Sequence, residues 1–242
     1  MRGTREQELS SLKTGLLYTN SYQSIITIII TSLTIYAFSY YELTGKPNCI
    51  LWLNIWLFAV LSISIIRIIT TLSFKKSTDK ISRDRFWRNV FYLFTALSGS
   101  GFGLSVLFVS QIESTTSMVF IVLLLTAISA GSISTLSTSI TSFTIYNSLV
   151  LPPFSIFFLM HDEGVYKMAG CMILFFFIII LFTAYRLKRT LEKTFILKLE
   201  NDQIIEKLSQ SEEKFSKSFY SGVAPMALLR ISNAEFIDVN NA

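Results

Sequence analysis

The chain has 242 residues, 51% of them hydrophobic and only 15% charged, with a net charge of +5. A soluble domain of this size carries charge on roughly a quarter of its residues, so the composition excludes an ordinary globular enzyme. The positive excess is concentrated between Phe74 and Arg88, where Lys75, Lys76, Lys80, Arg83, Arg85 and Arg88 face only Asp79 and Asp84. That excludes a nucleic-acid arm and reads instead as one cytoplasmic loop between membrane segments.

In chain order, residues 1–20 mix acids with bases and lack a cleavage site, so they read as a short cytoplasmic lead-in with the option of a surface helix. Six charge-poor runs follow: Ser21–Tyr41, Leu51–Leu72, Asn89–Val109, Met118–Leu136, Phe143–Met160 and Met168–Tyr185. Each is close to the about 20 residues that one helical crossing of a bilayer requires. Loop charges set the direction of each crossing. Arg2, Arg5 and Lys13 hold the first end inside, and Arg186, Lys188, Arg189 and Lys193 hold the last. The loops Glu42–Ile50, Ser110–Ser117 and His161–Lys167 are poor in bases and fall outside. The expected architecture is an all-α, six-helix transmembrane bundle with both termini cytoplasmic. Its weakest boundary is the uncharged turn Ser137–Ser142. Fusing the helices on either side of it would put the Arg186–Arg189 cluster outside, against the charge rule.

Small residues mark helix contacts in the spans. Gly99 and Gly103 stand four apart in the third span, and Ala127 and Gly131 repeat the spacing in the fourth. Such pairs let backbones approach where lipid offers no hydrophobic drive. A phosphate-binding glycine loop is excluded, because no strand precedes the glycines and no Lys-Ser/Thr follows them. The hydroxyls of the Ser/Thr-rich fourth span are expected to bond back to carbonyls one turn earlier. Pro152 and Pro153 are expected to kink or break the fifth span and to free carbonyls there.

Arg67 is the one charge inside a span, about one turn from the expected cytoplasmic end. An intramembrane charge is a functional candidate by default. A long basic side chain near a helix end can also snorkel to the headgroups, and snorkelling is the preferred expectation. His161, beside Asp162 and Glu163, is either a proton-responsive group or a solvated loop histidine, the second being expected. Asn54, Asn147 and Gln111 suit a ligand cavity or interhelical hydrogen bonds equally well. Cys49 and Cys171 fall near one outer face and are expected to stay unpaired. One histidine and two separated cysteines make no soft-ligand metal site, and no cofactor can be named.

Beyond Tyr185 the run "RLKRTLEKTFILKLENDQIIEKLSQSEEKF" contains no Gly or Pro and continues the last span. Leu187, Thr194, Asn201, Leu208 and Phe215 lie on one seven-residue seam, and Thr190, Leu197, Ile204 and Ser211 on its companion. The pattern predicts a coiled coil and hence a homodimer, with Asn201 able to fix register. The competing reading is a solvated single helix, which is marginal in water on its own.

The last segment, "SEEKFSKSFYSGVAPMALLRISNAEFIDVNNA", resembles the start of a PAS domain. The likeness lies in Phe215 and Phe219 on a lead helix, Ala224-Pro225 before a first strand, a tight turn at Ser232–Ala234, and Asn240 with Ala242 after a second strand. It spans about 30 residues and implies an α/β fold of which only two strands are present. No PAS ligand residue carries over, and the two strands are expected to form at most a loose hairpin. The membrane part resembles the multi-span sensor regions called MASE-type, through its glycine-rich third span, the "LVLPPF" of the fifth and the basic exit helix.

These resemblances imply a sensor region in a bacterial inner membrane, placed ahead of histidine-kinase or cyclic-di-GMP output domains. Its expected partners are the bilayer, a second copy and a small lipophilic ligand, with no nucleic acid. The expected divisions are a lead-in at 1–20, a sensor domain at 21–185, a signalling helix at 186–211 and an incomplete PAS start at 212–242. No acid/base or metal constellation points to an enzyme within these residues. A small transporter or channel is the alternative. Its usual marks, paired intramembrane acids or an inverted repeat, are not matched, since the glycine and proline segments fall in non-corresponding spans.

Overall fold

The computed structural model describes residues 2–77, 83–221, 223–232 and 235–240. Asp79 and Lys80 of the basic loop, Asn233 and Ala234 of the expected strand turn, and Ala242 lie outside them. The chain divides into two units, Met1–Arg189 and Thr190–Ala242. In chain order the elements are α1 (Arg2–Glu42), α2 (Pro47–Lys76), α3 (Asp84–Leu104), α4 (Val106–Val109), α5 (Thr115–Leu136), α6 (Ile140–Leu159), α7 (Gly164–Tyr220), β1 (Ala227–Leu229) and β2 (Phe236–Val239).

Among the described residues, six helical segments are long and apolar enough to cross a membrane. All six expected runs therefore fall on such helices, and the chain has the character of a multi-pass membrane protein. The helices are longer than the runs. α2 gains about a turn at each end, starting on Pro47, whose ring presets the first helical φ. α3 and α4 make one crossing interrupted at Ser105, whose hydroxyl donates to the Phe102 carbonyl at 2.5 Å. α5 and α6 are separate, because Ser139 is extended (φ −127°, ψ 103°) and its hydroxyl accepts the Ser142 amide at 3.4 Å. That cap starts a new helix, and the fused alternative falls.

The second half of the expected lead-in is packed into the first unit. Ser10 and Thr14 donate to the two carboxylate oxygens of Asp84 at 2.6 and 2.5 Å, and Arg88 reaches the same group at 2.9 Å. Asp84 lies in the first turn of α3, where the helix dipole also favours a carboxylate. One turn further along α1, Tyr18 stacks on Phe74 with centroids 4.1 Å apart and donates to the Trp87 carbonyl at 2.9 Å.

The closest helix contact is α3 on α6, and it rests on the glycines. A Cβ added at Gly103 would lie 2.0 Å from the Leu149 carbonyl oxygen, and one at Gly99 would lie 3.0 Å from that of Tyr146. Leu149 precedes Pro153 by four residues, so its carbonyl has no helical N–H donor. α6 nevertheless runs unbroken through both prolines, so of the expected kink or break the break falls. The freed carbonyl lies directly against the smooth face of α3.

The pair Ala127 and Gly131 does not behave alike. Both are exposed, and nothing lies within 4 Å of a Cβ built at Gly131, so this pair is not a helix-packing strip. Gly170, not singled out by spacing, does make a close contact. A Cβ there would meet Leu159 at 2.8 Å and the Ser155 carbonyl at 3.0 Å, and the Ser155 hydroxyl donates to the Gly170 carbonyl at 2.8 Å. Several fourth-span hydroxyls bond back as expected, Ser132 to Ser129 at 2.6 Å and Ser134 to Gly131 at 2.9 Å, whereas those of Ser129 and Ser137 are buried without a partner among the described residues.

The loops opposite the basic loop are tied together by polar contacts. Gly45, with φ 103°, makes the α1–α2 turn that a residue with a Cβ would strain. Next to it Lys46 donates to Glu113 at 2.7 Å and to the Gln111 carbonyl at 2.9 Å. The Lys46 hydrogen bond holds the Glu113 carboxyl below the usual range. A depressed carboxylate pKa contributes stability above the unfolded value and loses it as pH falls through the folded one. Both groups are exposed, so the effect is small. Glu113→Gln should lower the thermal midpoint slightly at neutral pH and match the parent at strongly acidic pH, where the carboxyl is protonated. An equal gap at both pH values would show that Lys46 does not act through the Glu113 charge.

In the second unit, β1 and β2 pair antiparallel, with Ala227 opposite Val239 and Leu228 opposite Asp238, then an irregularity before Leu229. Asn240 clips the hairpin. Its Oδ1 accepts the Met226 amide and its Nδ2 donates to the Ala224 carbonyl, both at 2.8 Å. Tyr220 donates to Asp238, and Phe219 is buried against Phe215 with centroids 5.5 Å apart. The pair is better tied than a bare two-strand ribbon.

Candidate functional site

Five helices of the first unit converge on a cavity of about 120 Å³. α2 supplies Arg67, α1 supplies Gln23, Ser24 and Thr27, and α3 supplies Thr95. α5 adds Gly131, Ser132, Ser134 and Thr135, and α6 adds Tyr146. Most of these side chains carry a hydroxyl or amide, which is unusual for the interior of a helical bundle of this composition. The spacing explains the convergence. Gln23 and Thr27 are four apart on α1, and Ser132 and Thr135 three apart on α5, so each pair lies on one face of its helix.

Arg67 does not snorkel. It is 4% exposed, and its Nε and Nη2 are buried without a hydrogen-bond partner. The guanidinium carbon sits 5.2 Å from the centroid of the Phe91 ring, within cation–π range. Among the described residues it has no carboxylate partner. The expectation of snorkelling took this face of α2 to meet lipid, whereas neighbouring helices enclose it. α2 continues nine residues past Arg67, about 13.5 Å of helix at 1.5 Å per residue. The side chain turns inward between the helices, onto Phe91, and not along α2 toward its end.

The other predicted site residues are distributed. Asn147 is fully buried beside the cavity, donating to the Ser132 hydroxyl at 3.1 Å and to the Phe143 carbonyl at 3.0 Å. It joins α6 to α5, the interhelical role its type allows. Gly131, expected to pack a helix, lines the cavity instead. Asn54 lies apart on an exposed face of α2, accepting from the Tyr36 hydroxyl at 2.9 Å. His161 is not a free loop side chain. It contacts the Phe157 carbonyl through Nδ1 at 3.0 Å, and its ring lies 4.9 Å from that of Tyr166. Cys49 and Cys171 are free thiols. Thr95, Tyr146 and the hydroxyls of α1 were missed, because in single spans they look like ordinary back-bonded polar residues.

A second concavity of about 670 Å³ lies between α2 and the α3–α4 segment, lined by Trp52, Trp56, Leu97, Leu104 and other apolar groups. Trp56 holds that interface by donating to the Gly101 carbonyl at 2.6 Å. Along the exit helix, Tyr166, Gly170, Ile173, Phe177, Ile180 and Ala184 form the more buried stripe, with alternating spacings of four and three.

Comparison of the chain with family models, with curated proteins and with solved structures found no match to any of them.

Proposed function

We propose that the chain is the membrane-embedded sensory and signal-transmission module of a bacterial sensor protein of the histidine-kinase or cyclic-di-GMP type. A small lipophilic ligand or a change in the bilayer biases the helical bundle. α7 passes that bias through a dimeric cytoplasmic helix to PAS and output domains outside these residues. Both ends of the chain lie on the cytoplasmic side, as the loop charges favour.

The observation that carries this reading is α7 itself. Its 57 residues run without interruption from an apolar span into a polar helix. The buried stripe on the span keeps a 3.5-residue spacing, and Ile173, Ile180 and Leu187 lead in steps of seven into the heptad seam. Further along, Leu197, Ile204, Leu208 and Phe215 are exposed at spacings of seven, four and seven. An apolar a/d seam of that kind is stabilised by pairing with a second copy. The clipped antiparallel hairpin that follows is compatible with the start of a PAS sheet. Signalling then needs only a two-state helix arrangement shifted by a few kcal/mol of differential binding.

Cysteine crosslinking tests the mechanical part. With Cys49 and Cys171 replaced by serine, Leu197→Cys and Ile204→Cys should form disulfide-linked dimers in native membranes. Ile205→Cys, off the seam, should form far fewer. No dimer at either seam position, or equal yield at all three, would remove the transmission model. The buried polar cavity is the one feature that favours a transporter instead. Solute flux into liposomes that is lost on Arg67→Gln would replace the sensory reading with that one.

A further inference from the structure

We infer that the Arg67 cavity is an oxyanion-binding site, built to take the carboxylate or phosphate head of an acidic, membrane-soluble molecule. The cavity deepens the sensory reading by naming the chemistry of its ligand, but the assignment is tested by binding alone, so the two readings fail separately.

Two observations and two chemical arguments converge. A guanidinium that is 4% exposed lines the space with two nitrogens unpartnered. A buried cation without an anion is costly, so a structure that retains one needs a compensating partner. Guanidinium is the side chain best matched to a carboxylate or phosphate, through paired charge-assisted hydrogen bonds. Hydroxyls from four helices surround it: those of Ser24 and Tyr146 are able to donate to the remaining oxygen lone pairs, while those of Thr95 and Thr135 donate to the Phe91 and Ser132 carbonyls.

The entrance selects the source. Gln23 and Thr27 on α1 and Gly131 and Ser134 on α5 are the exposed lining residues, so the mouth opens on the flank of the bundle between those helices. Gly131 leaves that mouth clear, since nothing lies within 4 Å of where its Cβ would be. A lateral opening in a membrane helix bundle faces lipid, which favours an acid arriving from the leaflet with its chain left outside. The volume agrees. About 120 Å³ accommodates a headgroup with ordered water and not an acyl chain.

The test uses the full chain in nanodiscs of neutral phosphatidylcholine, with spin-labelled stearic acid as probe. The acid should bind saturably, and its methyl ester should not. Arg67→Gln should weaken binding roughly 10- to 100-fold, the scale of lost charge-assisted hydrogen bonds. Gly131→Leu, which keeps the arginine and blocks the mouth, should weaken it about as much. Arg67→Lys should retain part of it. Inorganic phosphate that displaces the probe, or that binds where stearate does not, assigns the same site to a soluble oxyanion. Unchanged stearate affinity in folded Arg67→Gln and in Gly131→Leu, or equal affinity for acid and ester, would overturn the assignment. So would the absence of saturable binding of both stearate and phosphate.

Discussion

Gly103→Ala is expected to destabilise the bundle by about 3 kcal/mol or more, a larger loss than any other glycine-to-alanine change in the spans. Overpacking a membrane or soluble core typically costs about 1–3 kcal/mol, because side chains turn aside to make room. Here the obstacle is the Leu149 carbonyl oxygen, 2.0 Å from the new methyl, and a backbone atom cannot rotate away. Relief requires α3 and α6 to separate, and with them the buried packing of Phe102, Phe143 and Phe154. Gly99→Ala meets the Tyr146 carbonyl at 3.0 Å and should cost less, about 1 kcal/mol. Gly131→Ala points into open space and should stay within about 0.5 kcal/mol of the parent. Unfolding of the full chain in mixed micelles, followed by tryptophan fluorescence, gives the ranking. If Gly131→Ala proves as damaging as Gly103→Ala, the α3–α6 contact is not the one described.

That ranking also shows what could be read from the sequence. The six spans were legible because a bilayer imposes a length that few other constraints mimic, and the charge-free runs met it. The α5–α6 boundary was legible through loop charge before its serine cap was visible. Small-residue spacing was legible only as a smooth strip on a helix. It cannot say what faces the strip, so Gly99 and Gly103 pack while Ala127 and Gly131 do not. Gly170 lacked a partner at the right spacing and was passed over, although the α6–α7 contact depends on it. The cavity was least legible of all. It is assembled from five helices whose polar residues are each unremarkable alone, and only their convergence on Arg67 makes a site. The loose hairpin was expected from two short strands, but a single asparagine bonding across the incoming chain is a contact that propensity does not reveal.

The second large effect runs against intuition: Arg67→Met should make the unliganded protein more stable, by about 1–2 kcal/mol. A charge deep in a membrane helix costs roughly 2.5–3.5 kcal/mol on insertion scales. Two buried nitrogens without partners are where that cost arises, since their lost solvation is not replaced. Against this stands the cation–π contact with Phe91, worth about 2 kcal/mol where water is excluded. The packing of the arginine stem is largely kept, because methionine is unbranched and fills an irregular space of similar reach. The difference leaves the arginine a net burden in the empty state. A residue kept at such a cost belongs with function, which commonly trades against stability. Stearic acid supplied at about 100 times its dissociation constant should then stabilise the parent by about 2.7 kcal/mol and leave Arg67→Met unmoved. The order of the two proteins would invert on adding ligand. A loss of more than about 1 kcal/mol in unliganded Arg67→Met would instead make Arg67 a structural strut. The cavity around it would then be a packing defect and not a site.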